Sequence, residues 1–204
     1  MDLATMAYSV PAIVVGLTVH EWAHAVAAYR LGDATARDMG RLSLNPFRHI
    51  DPFGFLFLII AGFGWAKPVR FSRESLKRPK LDEAIIALAG PLSNVVLALV
   101  AVVILRFIYP AAPQGVPVKF VLYLLYINLG LFVFNMIPIP PLDGSHLIFS
   151  ALRLKPETEA KIYRYGLYGL FGIILLGNFT RIDILPIGKL VGWISRWMFS
   201  LVGL

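Results

Sequence analysis

Residues 3–29, LATMAYSVPAIVVGLTVHEWAHAVAAY, are apolar almost throughout, and the ionisable exceptions cluster as His20, Glu21 and His24. About 20 apolar residues cross a bilayer as a helix, so this stretch predicts a membrane span with charged chemistry inside it. Residues four apart on a helix lie nearly on one face. His20 and His24 can therefore offer imidazoles to one metal ion, with Glu21 beside it as a base. On a soluble helix such a pattern would often be incidental. Inside a bilayer each ionisable group costs roughly 3 kcal/mol on insertion scales, and such groups are usually functional. So tight a cluster calls for a metal or a polar cavity.

The rest of the chain agrees with a membrane setting. Of its 204 residues, 58% are hydrophobic and 15% are charged, whereas a soluble domain carries about 25% charged residues. The apolar residues fall in blocks and not in amphipathic stripes. Cysteine is absent, so no disulfide can form and any metal must be held by His, Asp or Glu. A net charge of +7 raises the question of nucleic acid. Its distribution argues against that partner, because Lys and Arg lie mainly between the apolar blocks, where they would anchor at anionic headgroups. No Lys or Arg precedes Arg30, so the basic region of a cleavable signal peptide is missing and residue 1 is expected to begin the mature protein.

Further spans are expected over residues 84–108, interrupted early by Gly90-Pro91, and over 118–137, with two weaker ones near 165–176 and 184–204. The fold class is thus an all-α polytopic membrane protein of about five transmembrane helices. Residues 1–204 are read as one membrane domain, with a catalytic core at about 4–150 and C-terminal helices at about 160–204. Phe53–Trp65, ending in Gly62-Phe63-Gly64, is too short to cross and suits a re-entrant or interfacial segment. Met39–Asn45 alternates polar and apolar residues, a short strand pattern. A charged segment, residues 153–164, separates the third span from the C-terminal pair. No repeat and no room for a soluble accessory domain are evident.

Loop charge sets the orientation. Lys67, Arg70, Arg73, Lys77, Arg78 and Lys80 crowd one loop, against Lys119 alone at the turn between the second and third spans. By the positive-inside rule the basic loop is cytoplasmic. The first span then enters from outside, and its histidines fall near the cytoplasmic face. The third span returns to that same side, where Asp143 follows its apolar part.

Two histidines need a third ligand. Pro138, Pro140 and Pro141 cannot continue a helix, and an unwound stretch followed by Gly144 could turn Asp143 inward. Asp143 could equally cap a helix starting near Ser145. His49 and His146 compete as ligands, each otherwise a surface or simply hydrogen-bonded histidine. Two His ligands, a carboxylate and one open position suit zinc. Such a metal lowers the pKa of water from about 15.7 toward about 7, and Glu21 would take the proton and pass it to the leaving amine.

His20-Glu-Trp-Ala-His24 in an early span, Gly90-Pro-Leu-Ser-Asn94 opening the next, and Asn135-Met-Ile-Pro-Ile-Pro-Pro-Leu-Asp143-Gly ending a third resemble the site-2 protease family of intramembrane metalloproteases. The resemblance covers residues 10–147 in the family's order and spacing. It implies His20, His24 and Asp143 as zinc ligands and Glu21 as the catalytic base. It further implies that Asn94 and Asn135 lie near the active site or hold the substrate backbone, although an amide in a span can also serve helix packing. Arg41, Leu42 and Ser43, within residues 41–45, are implied to belong to a membrane-associated β-hairpin or sheet edge. An edge strand there could hold an unwound substrate extended.

Many members carry a PDZ domain or a CBS pair, neither of which is seen in this sequence, and Ser145 stands where many have glycine. The resemblance implies a compact member that cleaves single-span membrane-protein substrates in the bilayer. Small size and the absence of targeting signals point to a prokaryotic plasma membrane, and the loop charges point to an active site toward the cytoplasm. Homo-oligomers remain open. Rival readings are a metal or proton transporter, against which the absence of paired halves counts, and an idle substrate-binding relative, against which the intact Glu21 counts.

Overall fold

The computed structural model describes residues 2–61, 64–152, 154, 156–180 and 184–204. Eight α-helices are found among them: α1 (Leu3–Arg30), α2 (Thr35–Asp38), α3 (Pro52–Ala61), α4 (Pro79–Ile108), α5 (Val116–Asn135), α6 (Asp143–Ala151), α7 (Pro156–Thr180) and α8 (Ile187–Val202). Helices α1, α4 and α5 are long and apolar enough to cross a membrane. They match the three strong spans expected, to within a few residues at each end. At the two weaker positions stand α7, which opens on Glu157, Glu159, Lys161 and Arg164, and α8, which has only 16 residues. Neither meets the same standard of length and apolarity, so three candidate spans stand where about five were expected.

The three long helices form the centre. Their inward stripes are built from small residues, Ala12, Gly16 and Ala25 on α1 and Ala87, Gly90 and Ala98 on α4, which let helix backbones approach closely in an apolar medium. A methyl group on Gly16 would come within 2.9 Å of Leu131 Cδ1 and 3.1 Å of Asn128 Oδ1. The larger apolar core lies between α4, α5 and α8, with Leu105, Leu125 and Leu129 fully buried and Val191 and Met198 supplied by α8.

Helix directions follow from the contacts. Tyr8 stacks on Tyr123 and Gly16 lies against Asn128, so α1 and α5 run parallel. His24 meets Ile86 and Gly16 meets Asn94, so α4 runs against both. The C-terminal ends of α1 and α5 and the N-terminal end of α4 therefore share one side of the bundle.

Helix α3 and the chain after it double back. A Cβ on Gly54 would lie 3.0 Å from the Trp65 carbonyl carbon, and one on Gly64 would lie 2.8 Å from Leu58 Cβ. The apolar segment thus goes out as a helix and returns beside it, as its length suggests. Gly62 and Phe63 of its expected ending lie outside the described residues, as do Arg153 and Lys155 of the charged segment.

The β element is a correction. Residues 39–45 form a turn and loop, and no strand occurs among the described residues; an isolated bridge pairs Ile50 with Ala66. Gly40 adopts φ +69° and ends the turn that follows α2. Asn45 caps the short 3₁₀ turn Pro46–Arg48. Arg41 is drawn inward to the carbonyls of Arg48 and Lys67. Turn chemistry at both ends outweighs the alternation that pointed to a strand.

Candidate metal centre

Helix α1 places His20 and His24 on its buried face one turn apart, and their rings meet edge to face with centroids 4.6 Å apart. The chain after α5 breaks at its prolines and re-enters a helix at Asp143, the first residue of α6. Gly144 makes that return possible, since a Cβ there would sit 2.6 Å from the Met136 carbonyl carbon. Asp143 does not cap α6, whose N-cap is Leu142. Its Oδ2 instead lies 3.1 Å from His20 Nε2 and 3.4 Å from His24 Nε2, and the two Nε2 atoms are 3.0 Å apart.

Helix α4 fixes which imidazole nitrogens face inward. His20 Nδ1 lies 2.7 Å from Asn94 Oδ1, and His24 Nδ1 lies 2.7 Å from the Ile86 carbonyl. Both partners accept, so each Nδ1 carries the hydrogen and each Nε2 is a bare lone pair. The amide orientation of Asn94 is itself fixed, because its Nδ2 donates to the Gly16 carbonyl at 3.2 Å and to Asn128 Oδ1 at 2.8 Å. Asn128 in turn donates to the Leu124 carbonyl. Gly90 stands between the two α4 acceptors, and a Cβ there would come within 2.6 Å of His24 Cε1 and 2.7 Å of His20 Cε1.

Three acceptor atoms thus converge with no hydrogen between them, and Asp143 Oδ2 is buried without a hydrogen-bond donor. Such a set repels itself unless a cation sits in its midst. Tetrahedral zinc, with bonds of about 2.0–2.2 Å, would set its ligand atoms about 3.3 Å apart. The observed separations fit a zinc ion without rearrangement.

Glu21 is also buried, and its Oε2 accepts from the Val69 backbone N–H at 3.0 Å. Val69 belongs to a strap, residues 66–73, that crosses the site. Asp33 holds the strap further along, its Oδ2 accepting from Ser72 N at 2.8 Å. The trio and Glu21 line a cavity of about 1100 Å³ with largely apolar walls.

Of the remaining predicted residues, Asn94 is joined to the trio through His20. Asn135 lines the cavity, but its amide donates to Leu131 of its own helix at 3.0 Å. Arg41, Leu42 and Ser43 are not part of the cavity wall. His49 is buried and turned to the Ser43 carbonyl at 2.6 Å. His146 pairs with Glu83 at 2.8 Å, so neither competes with Asp143. Sequence reasoning missed Asn128, which as an amide in an apolar span carried a signal. It also missed the Val69 N–H, for which a backbone group offers no signal at all.

A membrane-embedded helical bundle with a buried His–His–Asp centre beside a glutamate defines a class, the membrane metallohydrolases. Within it, this chain belongs to Peptidase family M50, which matches residues 8–112 and 109–176. It is 37% identical over 198 residues to the Bacillus subtilis protein named "Putative zinc metalloprotease YwhC", covering 94% of this chain and 86% of that one. "Putative zinc metalloprotease Rip2" of Mycolicibacterium smegmatis is 29% identical over 193 residues, covering 91% and 68%. No solved structure matches the chain. The resemblance to site-2 proteases is borne out: this is a zinc metalloprotease of the M50 type and an integral membrane protein.

Proposed function

We propose that this protein hydrolyses peptide bonds in or near the transmembrane segments of single-span membrane proteins. The convergence of His20 Nε2, His24 Nε2 and Asp143 Oδ2 beside Glu21 in an apolar cavity supports this reading most directly. His20, His24 and Asp143 hold the zinc, which when bound supplies a Lewis acid for the scissile carbonyl and acidifies water. Glu21 takes the proton of the attacking water as the new C–O bond forms. It then gives that proton to the amide nitrogen as the C–N bond breaks. The Val69 N–H aims the Glu21 carboxylate, and Asn94 keeps His20 in the ligating tautomer.

Asn135 hydrogen-bonds the substrate backbone from the cavity wall. Arg41, with Leu42 and Ser43 in its loop, acts at a remove by tying the start of the strap to the carbonyl of Arg48. The whole chain works as one membrane domain, with α7 and α8 completing the spans around the core. The centre opens toward the cytoplasmic side of a prokaryotic plasma membrane, as the loop charges suggest.

Protein purified in detergent should carry about one zinc per chain by elemental analysis. Glu21→Gln should keep that zinc and lower cleavage of a single-span reporter at least about 100-fold. Undiminished cleavage by that variant would sink the mechanism.

A further inference from the structure

Helix α4 anchors not two imidazoles but three. Asn94 and Ile86 hold the Nδ1 atoms of His20 and His24, and Glu83, one turn before Ile86, holds Nδ1 of His146 at 2.8 Å. His146 sits three residues beyond Asp143 on α6 and lines the same cavity. Its partner Glu83 is buried and gripped on both oxygens by Arg73, with Nε at 2.6 Å and a second guanidinium nitrogen at 2.7 Å. A carboxylate clasped in this way only accepts hydrogen bonds, so the proton of the neutral imidazole lies on Nδ1 and Nε2 is a bare acceptor. Among the described residues nothing hydrogen-bonds His146 Nε2.

We propose that His146 binds the backbone of the peptide being cleaved, its Nε2 accepting an amide N–H of the substrate. This rests on the protease reading above. A peptide drawn into the cavity must be unwound to be cut, and each freed N–H then lies against largely apolar walls, where an unpaired polar group is costly. Acceptors in the cavity are few. The metal trio is committed to zinc and Glu21 to water, while Asn135 spends its Nδ2 on the Leu131 carbonyl of its own helix and keeps its Oδ1 for the substrate backbone. His146 Nε2 is an acceptor left over, oriented from behind and placed one helical turn from a metal ligand.

The test uses a single-span peptide bearing a fluorescent label, in detergent micelles, and a set of its variants each N-methylated at one backbone nitrogen near the cut. Binding is measured to Glu21→Gln protein, so turnover is not needed. One N-methyl position should weaken binding on the order of tenfold. Adding His146→Leu should weaken binding of the parent peptide by a similar factor, abolish the penalty at that one position and leave zinc content unchanged. Glu83→Gln should reproduce the effect. Its amide can donate to Nδ1, which moves the imidazole proton to Nε2 and removes the acceptor. His146→Gln, whose carbonyl accepts, should restore binding. The proposal is overturned if His146→Leu binds the parent peptide as tightly as before. It is equally overturned if every N-methyl penalty persists in that variant, or if binding falls only in proportion to lost zinc. Absence of any cleavage of the same peptide by the zinc-loaded wild-type protein would instead defeat the protease reading and leave the binding result standing on its own.

Discussion

Asn94 works as a single-residue ruler between three helices. Its oxygen accepts from His20 on α1, and its nitrogen donates to the Gly16 carbonyl and to Asn128 on α5. Only an amide can do both, because a carboxylate lacks the donors and a hydroxyl lacks the reach. Partners behind a metal ligand typically matter 10–100-fold in metal affinity, and Gly90 gives the sharpest way to test that here. Gly90→Ala would thrust a methyl group onto the Cε1 atoms of both histidines while leaving every ligand atom in the chain. The expected result is a protein that folds, since alanine suits a helix better than glycine, yet binds zinc at least about 10-fold more weakly. Zinc content after dialysis against a chelator of graded strength checks it.

At the scale of elements, the strap over residues 66–73 is held by acidic side chains from its surroundings. Glu21 takes the Val69 N–H, Asp33 takes the Ser72 N–H, and Glu83 with Glu159 takes the Arg73 guanidinium. Burial pushes the Asp33 carboxyl upward, but hydrogen bonds from Thr35 and Ser72 outweigh it and leave the pKa below its ordinary 3.8. The folded state therefore binds that proton less readily than the unfolded chain. Its contribution is full above 3.8 and is lost as pH falls through the lower, folded value. Asp33→Asn should cost about 2 kcal/mol at neutral pH. Melting curves of wild type and variant should converge as pH drops below about 4, whereas a gap independent of pH would exclude the carboxylate as the source.

None of the strap's fastenings could be read from the chain. Helical spacing reveals His20 and His24 because side chains one turn apart must share a face. A proline-broken span end reveals that Asp143 leaves its helix, though not where it goes. The Val69 N–H meeting Glu21 is a backbone contact across a loop, invisible in any residue pattern. In residues 39–45 the polar–apolar alternation is real, but Gly40 and Asn45 dictate turns at either end and Arg41 folds inward. Local turn chemistry decided that segment, and periodicity did not.

Over the whole molecule, α4 reverses the pattern of a soluble helix. Its small residues and Asn94 face inward, while Leu92, Val96, Val103 and Phe107 stand exposed. Such a stripe on a bundle of membrane-length helices is suited to lipid. The bundle has two unlike ends. One carries the α1 C-terminus, the α4 N-terminus, the metal centre and the basic residues of the 67–80 segment. The other carries the turn around Gln114, which has no basic residue between Arg106 and Lys119. The proposed cytoplasmic placement of the centre follows from this positive-inside distribution. Because the chain has no cysteine, single cysteines can report this without background. Lys77 and Gln114 are both exposed and outside the long helices, so Lys77→Cys and Gln114→Cys should fold normally. A membrane-impermeant maleimide should label Gln114→Cys in intact cells and Lys77→Cys only in inverted vesicles. The opposite pattern would turn the bundle over and place cleavage at the outer face, where the substrates reaching His20, His24 and Asp143 would come from the other side of the membrane.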